Sequence, residues 1–190
     1  CTKGFCPSFV TVSGTKRKRA TQALPDFAGL SLPDPVPPGL DRAWNLLLTG
    51  VGGTGVITVS AILAQAAHLQ GLHILALDQT GLAQKNGAVM SHLHFAQNPD
   101  HLTTPRIGQG EADAVLAFDM VVAASPKGLR TIADHTRVVA DGHVAQTAGF
   151  VRNSRGAQHL DLPQAQLEAK AGTAGLSVID ATGLALRHFG

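Results

Sequence analysis

Six residues, Gly50-Val51-Gly52-Gly53-Thr54-Gly55, constrain this chain more than any other stretch. They follow an apolar run at 44–48 and precede a helical pattern over 56–69. A glycine-rich turn between a strand and a helix lets the backbone turn tightly. It also brings main-chain N–H groups to the surface and aims a helix N-terminus at whatever lies above it. Gly50, Gly52 and Gly55 spell the G-x-G-x-x-G of a dinucleotide site. A Walker loop is a poor match, because Val56-Ile57 stands where its Lys-Ser/Thr pair belongs.

The pattern around the turn sets the fold class. Residues 44–49 form a nearly unbroken apolar run, which suits a buried parallel strand. Ile57, Ala61, Leu63, Ala64, Ala67 and Leu69 repeat with helical spacing, and Gly71 stands where a helix stop belongs. Further strands are expected at 74–77, 88–96, 114–118, 137–140 and 177–179. Helices are expected near 119–124, 126–134, 163–171 and 182–188. Strands alternating with helices predict an α/β fold, a mostly parallel, Rossmann-like sheet with helices on both faces.

Composition bounds the rest. The 190 residues, with 44% hydrophobic and 15% charged, suit a globular protein with one main domain plus extensions. No run approaches the roughly 18 to 20 apolar residues of a membrane span. A net charge of +2 is too small to imply a nucleic-acid or membrane partner. Pro25, Pro33, Pro35, Pro37 and Pro38 make 14–41 an extended linker with polyproline character. Its basic run, Lys16-Arg17-Lys18-Arg19, reads either as a polyanion or targeting signal or as a solvated linker start. Cys1 and Cys6 are the two cysteines, so a reduced, cytoplasmic setting is expected rather than a disulfide framework. Cys6-Pro7 echoes the end of a ferredoxin-type cluster motif, and ordinary free thiols are the alternative. Both ends read as cut, so a piece of a longer chain is expected.

The second strand ends in Asp78, about twenty residues past the glycines, where a ribose-binding carboxylate belongs in a dinucleotide site. The alternative is that Asp78 finishes a strand. Directly after it runs Gln79-Thr80-Gly81-Leu82-Ala83-Gln84-Lys85-Asn86-Gly87-Ala88-Val89-Met90-Ser91-His92, a polar, glycine-flanked loop with one lysine. A plain dinucleotide fold has no need of that loop. His92 and His94 share a strand face and lack an evident third metal ligand, so packing or polar-face roles are expected. Asp113 and Asp119, near strand ends, read as capping and turn residues.

Three stretches together resemble the 2-oxoacid:ferredoxin oxidoreductase family, in particular its fused indolepyruvate-oxidising kind. The segment from Thr49 through the glycine turn to Val56 is similar to the start of that family's gamma module, and the block from Asp78 to His92 to its next block. Cys1-Thr-Lys-Gly-Phe-Cys-Pro-Ser-Phe-Val-Thr-Val-Ser-Gly14 resembles the tail of the preceding thiamine-diphosphate module, and Ile179-Asp180-Ala181-Thr182 the block near the gamma module's end. The resemblance implies a module tail at 1–13, a linker at 14–41 and a gamma domain at 42–190. It implies oxidative decarboxylation of an aryl 2-oxoacid on thiamine diphosphate, with electrons passing through 4Fe–4S clusters to ferredoxin and the acyl group leaving on coenzyme A. The cofactors carry that chemistry and the protein orients them. The implied partners are the other modules of the enzyme, ferredoxin, the 2-oxoacid and coenzyme A, in a homo-oligomer of the intact enzyme.

Residue by residue, the resemblance implies a cluster-ligand role for Cys1 and Cys6, with the other ligands upstream. It points to the turn of Gly50, Gly52, Gly53, Thr54 and Gly55 for coenzyme A, chiefly through the main chain of Gly52, Gly53 and Thr54. Lys85 pairs a phosphate on this reading, or else serves an inter-module salt bridge or a solvated loop. No catalytic residue is assigned. Two further readings stay open: a self-standing nucleotide-binding module, and a nicotinamide-dependent dehydrogenase, for which the chain offers no obvious acid or base.

Overall fold

The computed structural model describes residues 14, 31, 33–81, 87–143 and 161–189. The chain divides into two compact units, Cys1–Pro33 and Asp34–Gly190. Almost all of the first lies outside the described residues, as do Cys1, Cys6, the basic run at 16–19 and Lys85. Residues 33–43 carry neither helix nor strand.

The second unit is built on one sheet of six strands: β1 (Trp44–Val51), β2 (His73–Thr80), β3 (Ala88–Ala96), β4 (Ala114–Ala117), β5 (Arg137–Asp141) and β6 (Leu176–Ile179). Among the described residues five α-helices accompany it: α1 (Val56–Leu69), α2 (Met120–Ala123), α3 (Pro126–Thr131), α4 (Asp161–Ala171) and α5 (Ala181–Phe189). The strand order is β2-β3-β1-β4-β5-β6. β1, β4, β5 and β6 pair in parallel, while β3 pairs antiparallel to both β1 and β2. The expected alternation is therefore interrupted once. β3 follows β2 in the chain, pairs antiparallel with it and inserts between β1 and β2, so α1 crosses over it.

β1 is central because both of its faces are apolar. Leu46 and Leu48 pack on one side with Val56, Val89 and Leu93, against Val59 and Leu63 of α1. Leu47 and Val51 pack on the other with Met90, Val115, Val138 and, from α4, Leu167. Helices thus cover both faces. Leu47, Leu48 and Leu93 are fully buried, each stabilising the fold by about 1.5–3 kcal/mol relative to exposure. α3 stops at Thr131, short of the expected 134, because Ile132 takes an extended backbone.

Candidate functional site

Strand order reverses at β1: its crossover through α1 leads to the β2 side, whereas β4, β5 and β6 extend the other way. Ligands of open α/β sheets bind outside the carboxyl ends of the strands at such a switch point. The glycine turn stands there, between the end of β1 and the start of α1.

Gly50, Gly53 and Gly55 answer two different constraints. A Cβ on Gly50 would lie 2.6 Å from Val56 Cγ2, 2.9 Å from Thr54 Oγ1 and 3.2 Å from Phe118 Cβ, so the strand end packs too closely for a side chain. Gly53 and Gly55 have φ of +95° and +86°, the left-handed region that L side chains resist, although each faces open space. Gly55 is the N-cap of α1, which has no side-chain cap and no acidic residue in its first turn.

The hydrogen bonds redistribute the donors expected of this turn. The Gly52 N–H donates to the Gly87 carbonyl at 2.8 Å, tying the turn to the second block. The Thr54 N–H and hydroxyl both donate to the Val51 carbonyl, at 3.0 and 2.7 Å. Two of the three expected main-chain donors are therefore already engaged, one with the second block and one inside the turn. Among the described residues, the Gly53 and Gly55 N–H groups make no such bond, and those of Val56, Ile57 and Thr58 have no intrahelical partner by helix geometry. Open donors thus lie one step further along, at the first turn of α1.

β2 runs on past Asp78 to Thr80, so Asp78 lies within the strand rather than at its end, and its carboxylate accepts hydrogen bonds from the Ser60 hydroxyl of α1 and the Ser91 hydroxyl of β3. With β3 interposed, β2 lies two strand spacings, about 10 Å, from β1. A carboxylate so placed and so engaged fastens α1 to the sheet, which counts against the ribose-binding alternative.

His92 and His94 share a buried face of β3. His92 Nδ1 accepts from the Ile107 N–H at 3.3 Å, and its pKa is pushed down to about 4 by burial, aided by His94 and Arg106. His94 Nδ1 bonds Asn45 Oδ1 at 2.8 Å. Burial lowers its pKa too, opposed by the Pro105 carbonyl and Glu111. Among the described residues, neither Nε2 has a hydrogen-bond partner of good geometry. Among the described residues no group of three or more His, Cys, Asp or Glu is placed to hold a metal ion.

Asp119 caps α2 by accepting from the Val122 N–H at 2.9 Å, and Asp113 accepts from the Asn45 N–H at 2.8 Å and pairs with Arg42. Asp119 does the capping work expected of it, whereas Asp113 ties the start of β1 to the approach to β4 instead of capping or turning the chain. The Ile179-Asp180-Ala181-Thr182 block joins β6 to α5. There Asp180 accepts from the Gly183 N–H at 2.9 Å, and the Thr182 hydroxyl donates to Asp141. Sequence gave no notice of Arg106. With the Gln79 amide turned so that its oxygen faces the guanidinium, Arg106 Nε donates to it at 3.1 Å, at the carboxyl end of β2.

Comparison with known proteins agrees with this architecture. The family model described as pyruvate ferredoxin/flavodoxin oxidoreductase matches residues 45–190. Indolepyruvate oxidoreductase subunit IorB of Methanothermobacter thermautotrophicus is 28% identical over 130 residues, which cover 68% of this chain and 63% of that subunit. The chain thus spans somewhat under two thirds of that relative's length. Pyruvate oxidoreductase subunit PORC of Thermotoga maritima superposes with a TM-score of 0.51 at 18% identity, over 77% of this chain and 66% of that one. The 2-oxoglutarate:ferredoxin oxidoreductase of Magnetococcus marinus, solved with 2-oxoglutarate, coenzyme A and succinyl-CoA bound, gives a TM-score of 0.51 at 16% identity. That match covers 77% of this chain and 21% of that one.

Proposed function

The chain belongs to the pyruvate ferredoxin/flavodoxin oxidoreductase family, and from that premise we propose that it forms the gamma-type module of an indolepyruvate-oxidising member, where it holds the phosphates of coenzyme A. The observation carrying this reading is the set of open N–H groups from Gly53 through the first turn of α1, set at the sheet's switch point. A 14-residue helix with no acidic residue in its first turn presents a positive dipole end to an anion. The relative named for indolepyruvate and the neighbour solved with coenzyme A support the substrate and the co-substrate.

The described residues include no cysteine, so they supply no thiolate for an iron–sulfur cluster. On our reading Cys1 and Cys6 contribute to a cluster completed by other modules, and thiamine diphosphate, which supplies the decarboxylation chemistry, sits on those modules. This chain's part is to bind and orient coenzyme A and to pack on its neighbours, in a cytoplasmic assembly that passes electrons to ferredoxin. It is inactive alone. Ile57, Ile62 and Leu69 on the outer side of α1, and Leu184 and Leu186 on α5, are exposed apolar residues of the kind an inter-module contact covers.

Titration of the chain with coenzyme A and with NADH tests the reading. Saturable binding of coenzyme A alone is expected, and saturable micromolar binding of NADH would overturn it. In the assembled enzyme, Lys85→Ala is expected to raise the KM for coenzyme A. An unchanged KM removes Lys85 from the site.

A further inference from the structure

The opposite edge of the sheet carries a second cleft. β4 and β5 run parallel, and the chain enters them through Gly110 and through Ile132 and Ala133, at their amino ends and away from the glycine turn. Beside these approaches, between α3 and the end of α4, lies a cavity of about 590 Å³ to which Gln109, Pro126, Leu129, Arg130 and Lys170 also contribute.

Its lining is of two kinds. Pro126, Leu129, Ile132 and Ala133 are apolar; Ile132 belongs to the main core cluster and Leu129 packs against it. Arg130 and Lys170 are cations, Gln109 adds an amide, and no lining residue is acidic. Among the described residues, no hydrogen bond or ion pair engages any of these three side chains. The main chain around them is tied down. The Gly110 N–H donates to the Arg130 carbonyl at 2.9 Å and the Ala112 N–H to the Thr131 carbonyl at 3.0 Å, which fastens the approach to β4 onto the end of α3. Helix dipoles account for part of the charge, since Arg130 and Lys170 stand in the last turns of α3 and α4. They do not call for an open apolar wall beside those charges.

We propose that this cleft binds a small carboxylate carried on an apolar body, its head group taken by Arg130 and Lys170 and its body by Leu129, Ile132 and Pro126. A guanidinium matches a carboxylate with two parallel N–H donors, and a lysine adds a point charge. The volume falls within the roughly 300–1,000 Å³ of small-molecule sites, which pair apolar walls with a few polar groups in the same way. A neutral apolar compound would leave both cations unanswered, and a bare anion would leave the apolar wall wet. This site is independent of the coenzyme A reading, and its failure leaves that reading untouched.

The test is a titration of the full chain with sodium octanoate, followed by amide NMR, with octanol, octylammonium chloride and sodium acetate as comparisons. Saturable shifts at Gly110, Leu129, Ile132 and Ala133 are expected with octanoate alone. Arg130→Gln and Lys170→Gln, both exposed and conservative changes, are each expected to weaken binding about fivefold, the upper size of an exposed charge pair. Absence of a saturable shift with octanoate would show that the two cations serve only their helix ends and overturn the proposal. So would an equal response to octanol, octylammonium or acetate, or unchanged octanoate binding in both variants.

Discussion

Replacing Gly50 with alanine isolates the close packing that shapes the glycine turn. Gly50 does not have a positive φ, so the added methyl acts through contact alone. It would meet Val56 Cγ2 at 2.6 Å and Thr54 Oγ1 at 2.9 Å. Neither neighbour yields easily: Val56 is buried and β-branched in the first turn of α1, and the Thr54 hydroxyl is bonded to Val51. Overpacking of this kind costs about 1–3 kcal/mol. Val56→Ala alone removes buried methyls and leaves a gap, for roughly 2–3 kcal/mol. In the double variant the two changes offset each other, and a favourable coupling of about 1 kcal/mol is expected, less than the full clash because Thr54 still obstructs. Gly53→Ala is the contrast. It meets open space at φ +95° and costs about 1–2 kcal/mol through the backbone, with no rescue from Val56→Ala. Urea denaturation of the three single and two double variants measures these terms. Additive losses in Gly50→Ala/Val56→Ala, or equal rescue at Gly53, would refute the steric account.

Other expectations follow from the same geometry. His92 has a depressed pKa in the folded state, near 4 against about 6.5 unfolded, so its contribution is full above pH 6.5 and is lost as pH falls toward 4. The loss approaches about 3 kcal/mol, and denaturation curves at pH 7 and 4.5 should show a smaller drop for His92→Gln; an identical drop contradicts this. Asp113→Asn should cost more than Arg42→Ala. The aspartate side chain is 9% exposed and also takes the Asn45 N–H, whereas Arg42 is 65% exposed and its pair is worth under about 1 kcal/mol. Equal losses on denaturation would argue against that ranking. Asp78→Ala should lower stability by roughly 1–2 kcal/mol through its two serine bonds and leave coenzyme A affinity unchanged. A stable variant with lost affinity would return Asp78 to the ligand site.

The sequence made some of this plain and hid the rest for identifiable reasons. β1, α1 and β3 were legible because each carries a clear apolar signal, an unbroken run in β1 and a recurring pattern in α1 and β3, and their extents match closely. The direction of β3 was not read, since apolar content is the same for a parallel or an antiparallel strand. The signal was present in the loop between Thr80 and Ala88, which is too short for a parallel crossover and long enough for a hairpin. The turn's conformation was legible from its glycines. Its free donors were not, because the Gly52 bond to Gly87 joins residues far apart in sequence.

The central claim is that the first turn of α1 receives the phosphates of coenzyme A. Amide NMR of the chain during coenzyme A titration tests it most directly. The account predicts saturable shifts of the Gly53, Gly55, Val56, Ile57 and Thr58 amides that exceed those of Gly52 and Thr54, whose N–H groups are already bonded. Silent amides at the start of α1, or saturable shifts there with NADH and none with coenzyme A, would contradict it.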